Sequence, residues 1–376
     1  MSSSKDTSLL IHDLCISYHA PPKTSIVKNI DVIAKVAYTQ RKRRRKIMKI
    51  GVLGAGGIAR SMSATLRGMR ANGEDVELWS VGSRDIRKAE QFAKREGFQK
   101  ACGSYSDMLE DPDLDLVYIA TPHALHAEQM LMCLERGKAV LCEKAFTGNA
   151  PQAEKVLQTA KEKNILTAEA IWTRYMPSRG MIRDILASDE IGEVTALTAN
   201  LGYTISGVER IIRPELAGGA LLDVGVYCLN FASMVLGDDI ERTCAVGTRM
   251  ESGVDALDQI TLFYRSGAVA DLLTTALCTT DRYGVIYGTR GFLRVENINN
   301  PSRIEIWHPD RSHLFPSQVL PVPHQITGYE YEVRACMRAM QEGQIECSEM
   351  PHEEILQIMQ QMDGIRKQLG VVYPFD

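Results

Sequence analysis

The sequence predicts an α/β fold in two parts: an N-terminal doubly wound parallel sheet, then a second α/β domain built on a large, mostly antiparallel sheet. Three observations predict it. The run Lys49-Ile50-Gly51-Val52-Leu53-Gly54-Ala55-Gly56-Gly57-Ile58-Ala59 passes from an apolar strand through a glycine turn into a helical pattern. Strand and helix signals then alternate up to residue 168. Beyond residue 194 several strand signals follow one another with one helix between them, the pattern of an antiparallel sheet.

Each element has its reason. Residues 58–69 place small and apolar side chains on one helical face, and 76–81 read as the second strand. Residues 85–96 are helical, with Ser83 or Asp85 as the cap, and Ser104 caps a short helix ending near Leu109. Leu116-Val117-Tyr118-Ile119-Ala120 is apolar throughout, as expected of a parallel strand covered on both faces. A helix over 123–136 stops at Gly137; strand 139–142, helix 149–163 and strand 165–168 complete the first domain. In the second part, strands fall at 194–203, 243–251, 259–264, 268–276, 285–287 and 304–307, with a helix at about 225–236 and closing helices at 329–342 and 353–369. The domains are therefore 48–168 and 169–376, with residues 1–47 outside the pattern.

Composition narrows the function. The chain has 376 residues, a length for two domains, and 45% hydrophobic and 24% charged residues, ordinary for a soluble protein. A net charge of -4 gives no reason to expect a nucleic-acid partner. No apolar run is expected to span a bilayer. The nine cysteines are scattered without a C-x-x-C pair, which argues against a zinc site or a disulfide framework and for a reducing cytoplasm. Residues 1–47 end in Arg41-Lys42-Arg43-Arg44-Arg45-Lys46. That run reads either as a basic targeting or nucleic-acid arm, or as translated purine-rich sequence ahead of a true start at Met48; the second reading is preferred.

Gly54, Gly56 and Ala59 fit the G-x-G-x-x-G/A fingerprint of a dinucleotide-binding crossover. Gly54 permits the tight turn, Gly56 lets the backbone approach a pyrophosphate, and Ala59 lets the helix pack close. The helix N-terminus offers free N–H groups to phosphate. The end of the second strand selects the cofactor. An Asp or Glu there would hold a ribose 2′-OH. Gly82-Ser83-Arg84 instead offers a hydroxyl and a guanidinium, which suit a 2′-phosphate and favour NADP over NAD. Asp85 reads as a first-turn helix residue, and Arg84 could alternatively be a solvated surface charge.

Three further segments carry chemistry. Thr121-Pro122-His123-Ala124-Leu125-His126 and Cys142-Glu143-Lys144-Ala145 follow apolar strands, and ligands bind beyond the carboxyl ends of such strands. Gly218-Gly219-Ala220-Leu221-Leu222-Asp223-Val224-Gly225-Val226-Tyr227 lies in the second part, where Asp223 and Tyr227 share a helical face. A tyrosine is a poor base at neutral pH, and an ammonium beside it favours the phenolate. Lys144 beside Tyr227 would supply that. Read singly, Lys144 could be a surface lysine and Tyr227 a core tyrosine.

On these motifs the chain resembles the glucose–fructose oxidoreductase / inositol dehydrogenase / MocA superfamily, in particular its dimeric dihydrodiol dehydrogenase or NADP-dependent D-xylose 1-dehydrogenase branch. Glu169-Ala170-Ile171-Trp172-Thr173-Arg174-Tyr175, Tyr227-Cys228 and Val372-Tyr373-Pro374-Phe375 are similar to that branch. The resemblance covers Met48 to Asp376. It implies a Rossmann domain followed by an open-faced α/β domain whose sheet forms a dimer interface, and a C-terminal helix that can pack back on the first domain. It implies Tyr227 as general acid/base, tuned by Lys144, with Asp223 and His126 as support. The implied cofactor contacts are Gly54, Gly56, Gly57, Ile58, Ala59, Ser83, Arg84, Thr121, Pro122, His126, Glu143 and Lys144. Trp172 and Arg174 join Asp223 and Tyr227 on the substrate side, Trp172 as a pocket wall or else a core aromatic. The family usually has Pro where this chain has Ala145, which leaves the placement of Lys144 open. The implied reaction is hydride transfer between nicotinamide and a sugar, vicinal diol or carbonyl compound. A 3-keto-forming or anhydro-sugar dehydrogenase, and a non-catalytic cofactor-binding regulator, are the alternatives.

Overall fold

The computed structural model describes residues 47–309 and 315–376; the basic run and the expected start at Met48 lie at or beyond its edge, so readings of residues 1–46 fall outside the described residues. Six parallel strands form the first sheet: β1 (Met48–Leu53), β2 (Val76–Gly82), β3 (Lys100–Cys102), β4 (Leu116–Ile119), β5 (Ala139–Glu143) and β6 (Thr167–Ala170), in the order β3-β2-β1-β4-β5-β6. The order reverses between β1 and β4, which opens a crevice beyond their carboxyl ends. Strand β3 has no apolar run in its three residues, and sequence reading missed it.

The helices between these strands begin and end for local reasons. In α1 (Gly57–Ala71) the cap is Gly56, and no side chain satisfies the first amides. Asp85, not Ser83, caps α2 (Ile86–Glu96) by accepting from Arg87 N, and Gly97 ends it at φ 90°. Ser104 caps α3 (Tyr105–Leu109), as expected. A 3₁₀ turn (His123–Leu125) leads into α4 (His126–Glu135). Asn149 caps α5 (Ala150–Lys163), with Pro151 in the first turn and Asn164 in the left-handed conformation that ends it. The helix α6 (Pro177–Ala187) was not anticipated.

The second sheet has eight strands. They are β7 (Val194–Gly202), β8 (Ile240–Arg249), β9 (Asp255–Tyr264), β10 (Val269–Thr275), β11 (Gly284–Gly288), β12 (Phe292–Val295), β13 (Arg303–Trp307) and β14 (Gln318–Pro321). Their order is β14-β13-β12-β11-β7-β10-β9-β8, and every pair except β7 with β10 is antiparallel. The short β12 and the exposed β14 escaped sequence reading. Between β7 and β8 lie a single helical turn, α7 (Glu209–Ile212), a π-helical turn (Leu221–Gly225) and α8 (Val226–Leu236), which packs on β7 and β10. The stretch Pro214–Leu236 is long and apolar enough to cross a membrane, which corrects the sequence expectation, but 78% of its most apolar window is buried inside the fold. It is a core helix, interrupted by the turn that carries Asp223. The chain then forms α9 (Glu330–Glu342) and α10 (His352–Leu369); α10 lies against α5 and β8. Among the described residues all eight cysteines are free thiols, and no group of three or more potential metal ligands occurs.

Beneath the π-turn sits a buried acid pair. Asp255 Oδ2 accepts from Leu221 N at 2.5 Å, and Thr274 donates to Asp258 Oδ2 at 3.1 Å. The remaining oxygens, Asp255 Oδ1 and Asp258 Oδ1, have no other partner, so one proton shared between the two carboxyls satisfies both. Burial, then the Asp255 charge, pushes Asp258 up to about 9. The native state therefore holds a proton that the unfolded chain releases near pH 4. This contribution to stability is complete below that pH and is lost as pH rises toward 9. Asp258→Asn keeps a donor toward Asp255 without the ionisation. Its melting temperature minus that of the wild type is expected to grow by several degrees from pH 5 to pH 9, measured by calorimetry.

Candidate active site

The switch-point crevice continues toward the π-turn and α8 as a cleft of about 430 Å³, lined among others by Gly56, Gly57, Ile58, Thr121, Pro122, Glu143, Lys144, Asp223 and Tyr227. One wall is the glycine turn. Gly54 adopts φ 105°, and a side chain there would run into the Ala120 carbonyl at 2.8 Å, so only glycine fits. At Gly56 and Gly57 a Cβ would meet no protein atom within 4 Å. Ala59 is fully buried under the turn. The uncapped amides of α1 thus face open space beside bare backbone, a donor set that fits a pyrophosphate.

Ser83 and Arg84 follow the adjacent strand end. Gly54 N donates to Gly82 O at 2.9 Å, which puts this dipeptide directly beside the glycine turn. Ser83 is nearly buried and Arg84 is exposed. Asp85 caps α2 by accepting from Arg87 N at 2.9 Å, and the Arg84 guanidinium beside it is in solvent.

The opposite wall carries the titrating groups. Lys144 Nζ donates to Asp223 O at 2.6 Å and to Asp223 Oδ1 at 3.1 Å, joining the end of β5 to the π-turn. Arg210, from α7, meets the same Oδ1 at 2.6 Å. Burial raises the Asp223 pKa, but Lys144 and Arg210 together hold it below its ordinary value, so Asp223 is an anion between two cations. Lys144 Nζ lies 5.2 Å from the centre of the Tyr227 ring, and no hydrogen bond reaches the Tyr227 hydroxyl among the described residues. Burial first, then Tyr329 and Glu143, raises Tyr227 well above its usual range. The ammonium of Lys144 is paired with Asp223, and burial favours the neutral phenol of Tyr227. Glu143 is also raised by burial and accepts from the Tyr118 hydroxyl behind it. The Lys144–Ala145 peptide is cis.

Gly54, Ala59, Ser83 and Arg84 flank the cleft without lining it, and three further candidates, His126, Trp172 and Arg174, lie behind its walls. His126 is buried beneath it, 2.8 Å from Thr121 O and 2.9 Å from Ala145 O, and ties two cleft loops together. Burial lowers its pKa, so the neutral ring donates to one of these carbonyls at a time. Trp172 stacks on Tyr329 with ring centres 4.3 Å apart and donates to Asn299; Tyr329 is the wall, and Trp172 backs it. Arg174 is 1% exposed and binds Asn230, Ser233 and Glu354. It braces α8 and α10 and is not available to substrate. Sequence reading missed His123, Arg210 and Tyr329, all of which line the cleft. His123 lay inside the Thr-Pro-His run without an assigned role; burial, then Lys144, holds it down to about 3, so it is neutral. Arg210 has no local sequence signal.

Residues 48–170 match the oxidoreductase family model with an NAD-binding Rossmann fold, and 181–294 match the GFO/IDH/MocA C-terminal domain. The chain belongs to the GFO/IDH/MocA oxidoreductase family. Trans-1,2-dihydrobenzene-1,2-diol dehydrogenase of Xenopus tropicalis is 33% identical over 329 residues, 87% of this chain and 99% of that protein. The Homo sapiens protein of that name is 30% identical over 88% of this chain and 99% of its own length. A 3-ketoreductase from Actinomadura kijaniata, solved with NADP and TDP-benzene, superposes with TM-score 0.76 at 27% identity, covering 86% of this chain and 98% of that one. A GFO/IDH/MocA oxidoreductase needs a nicotinamide dinucleotide, and the glycine wall of this cleft fits one.

Because Arg174 is a buried brace, Arg174→Met should destabilise by about 3–5 kcal/mol, the usual effect of breaking a buried charge pair. Activity per folded molecule should change little. Denaturant unfolding and active-site titration check the two halves of this statement.

Proposed function

We propose that the chain is an NADP-dependent oxidoreductase that interconverts a carbonyl and an alcohol on a sugar or a vicinal diol. The observation that carries this reading is the meeting of Lys144, Asp223 and Tyr227 in one cleft with the uncapped glycine helix. When bound, the nicotinamide supplies or accepts the hydride. The protein supplies everything else. Gly56, Gly57 and Ile58 receive the pyrophosphate, and Ser83 with Arg84 receives the 2′-phosphate. Thr121, Pro122 and Glu143, which line the same cleft, would border the nicotinamide.

Tyr227 moves the proton. Its neutral phenol is set to donate to a carbonyl oxygen as that oxygen gains negative charge. In the oxidising direction Tyr227 must first release its own proton to solvent, and its phenolate oxygen then takes the proton from the alcohol. Lys144 then acts on two states: its ammonium pairs with Asp223 at rest and stabilises phenolate character on the adjacent ring as the proton leaves. Tyr329 closes the apolar side. Likeness to the diol dehydrogenases over nearly their whole length supports the diol, and the NADP complex of a 27% identical ketoreductase supports the cofactor. The exposed sheet face is the surface we assign to a homodimer, and the free thiols fit a cytoplasmic setting.

Tyr227→Phe is expected to lower kcat by about 10²–10⁴, the usual contribution of a positioned acid/base, with cofactor affinity kept. Stopped-flow hydride transfer and fluorescence titration with NADPH measure both; full activity in Tyr227→Phe would remove the mechanism. Arg84→Ala should weaken NADPH binding by about 1.5–3 kcal/mol, roughly ten- to hundred-fold, and leave NADH binding unchanged. Equal use of both cofactors by the wild type would refute the assignment of Arg84.

A further inference from the structure

We propose that the segment 371–376, far from the glycine turn in sequence, is a positioning strap that holds the two catalytic loops at their working separation. The proposal rests on the function assigned above to Lys144, Asp223 and Tyr227. The segment does not line the cleft, so it touches neither substrate nor cofactor. It touches both loops that carry the chemistry.

One contact is to the loop before Asp223. Tyr373 is 2% exposed, and its hydroxyl donates to Gly218 O at 2.6 Å. Gly218 opens the Gly218-Gly219 pair that leads into the π-turn. Gly219 has φ 114° and lies against the Asp255 carboxylate that also accepts from Leu221 N. The turn is thus held by both Asp255 and Tyr373.

The other contacts are to the loop after Lys144. The Phe375 ring lies so close to Gly148 that any side chain there would collide with it. Asp376 Oδ1 accepts from Asn149 Nδ2 at 3.1 Å. A single guanidinium keeps the strap in place. Arg366 meets Asp376 at 2.8 Å and Asp363 at 2.7 Å, and stands 4.4 Å from the Tyr373 ring centre. Asp363 in turn accepts from Ala150 N at 2.8 Å. Two polar anchors and one ring therefore join the loop after Lys144 to the loop that leads into Asp223.

Loss of one anchor should loosen the Lys144–Asp223 distance without disturbing the glycine wall. Tyr373→Phe removes a single oxygen. Its kcat is expected to fall about ten-fold, since small misplacements of catalytic groups are costly, while NADPH affinity stays within about two-fold. Amide exchange should quicken in 215–228 and not in β1 or β2. Phe375→Ala should behave alike, and Phe375→Leu, which restores an apolar contact on Gly148, should recover most of the rate. Unchanged kcat and unchanged exchange in Tyr373→Phe would overturn the proposal. So would a loss of kcat that comes with faster exchange throughout and weaker NADPH binding. If the wild type turns over no sugar, diol or carbonyl, the assigned function fails, and local exchange in 215–228 still decides the strap.

Discussion

The Lys144–Asp223 contact is the constraint on which the rest of the site depends. It joins the end of β5, in the parallel sheet, to the π-turn that precedes α8 in the second half of the chain. Both groups are largely removed from water, so each depends on the other to compensate its charge. Arg210 adds a second cation, and the ammonium also reaches the Asp223 carbonyl. The pair is therefore tolerated only because its remaining hydrogen-bonding capacity is used. Losing either partner would strand a buried charge and separate the two halves of the cleft.

The surrounding structure can be understood as support for that contact. His126 bridges the Thr121 and Ala145 carbonyls on one side of Lys144, and Glu169 accepts from Phe146 N on the other. Asp255 and Tyr373 fix the turn that carries Asp223. A π-turn at this point is a local departure from the i→i−4 ladder, and it turns Asp223 toward Lys144 while Tyr227 starts a regular helix. Apart from the His126–Thr121 bond, these supports are polar interactions made between segments remote in sequence.

That remoteness explains what the sequence could tell. The fold class, the Rossmann alternation and most of the second sheet were legible because they are periodic and local. Gly54, Gly56, Ala59, Lys144, Asp223 and Tyr227 were legible because each sits in a motif at a strand end or helix start. Arg174 and Trp172 were misplaced for one reason: a motif shows that a residue matters and not which way it faces. Arg174 faces Asn230 and Glu354, and Trp172 faces Tyr329. Arg210 was invisible because its partner is a carboxylate thirteen positions away across an irregular loop. The strands β3, β12 and β14 were missed because three or four residues carry too little periodicity.

The role of Lys144 changes most when its surroundings are considered. A lysine beside a tyrosine suggests a lowered phenol pKa, but that inference treats the ammonium as unpaired. Here Asp223 compensates it, and burial keeps the phenol protonated. In the proposed mechanism, a site with a neutral tyrosine, a neutral His123 and an ion pair nearby would be prepared to give a proton. It must be persuaded to take one. The positive field that can do so is already in place, since weakening the Lys144–Asp223 pair as negative charge grows on the phenol would move the ammonium's favour from one oxygen to another. Under the proposed mechanism the same three side chains would serve both directions, with the balance set by what occupies the cleft and how firmly the supports hold Asp223.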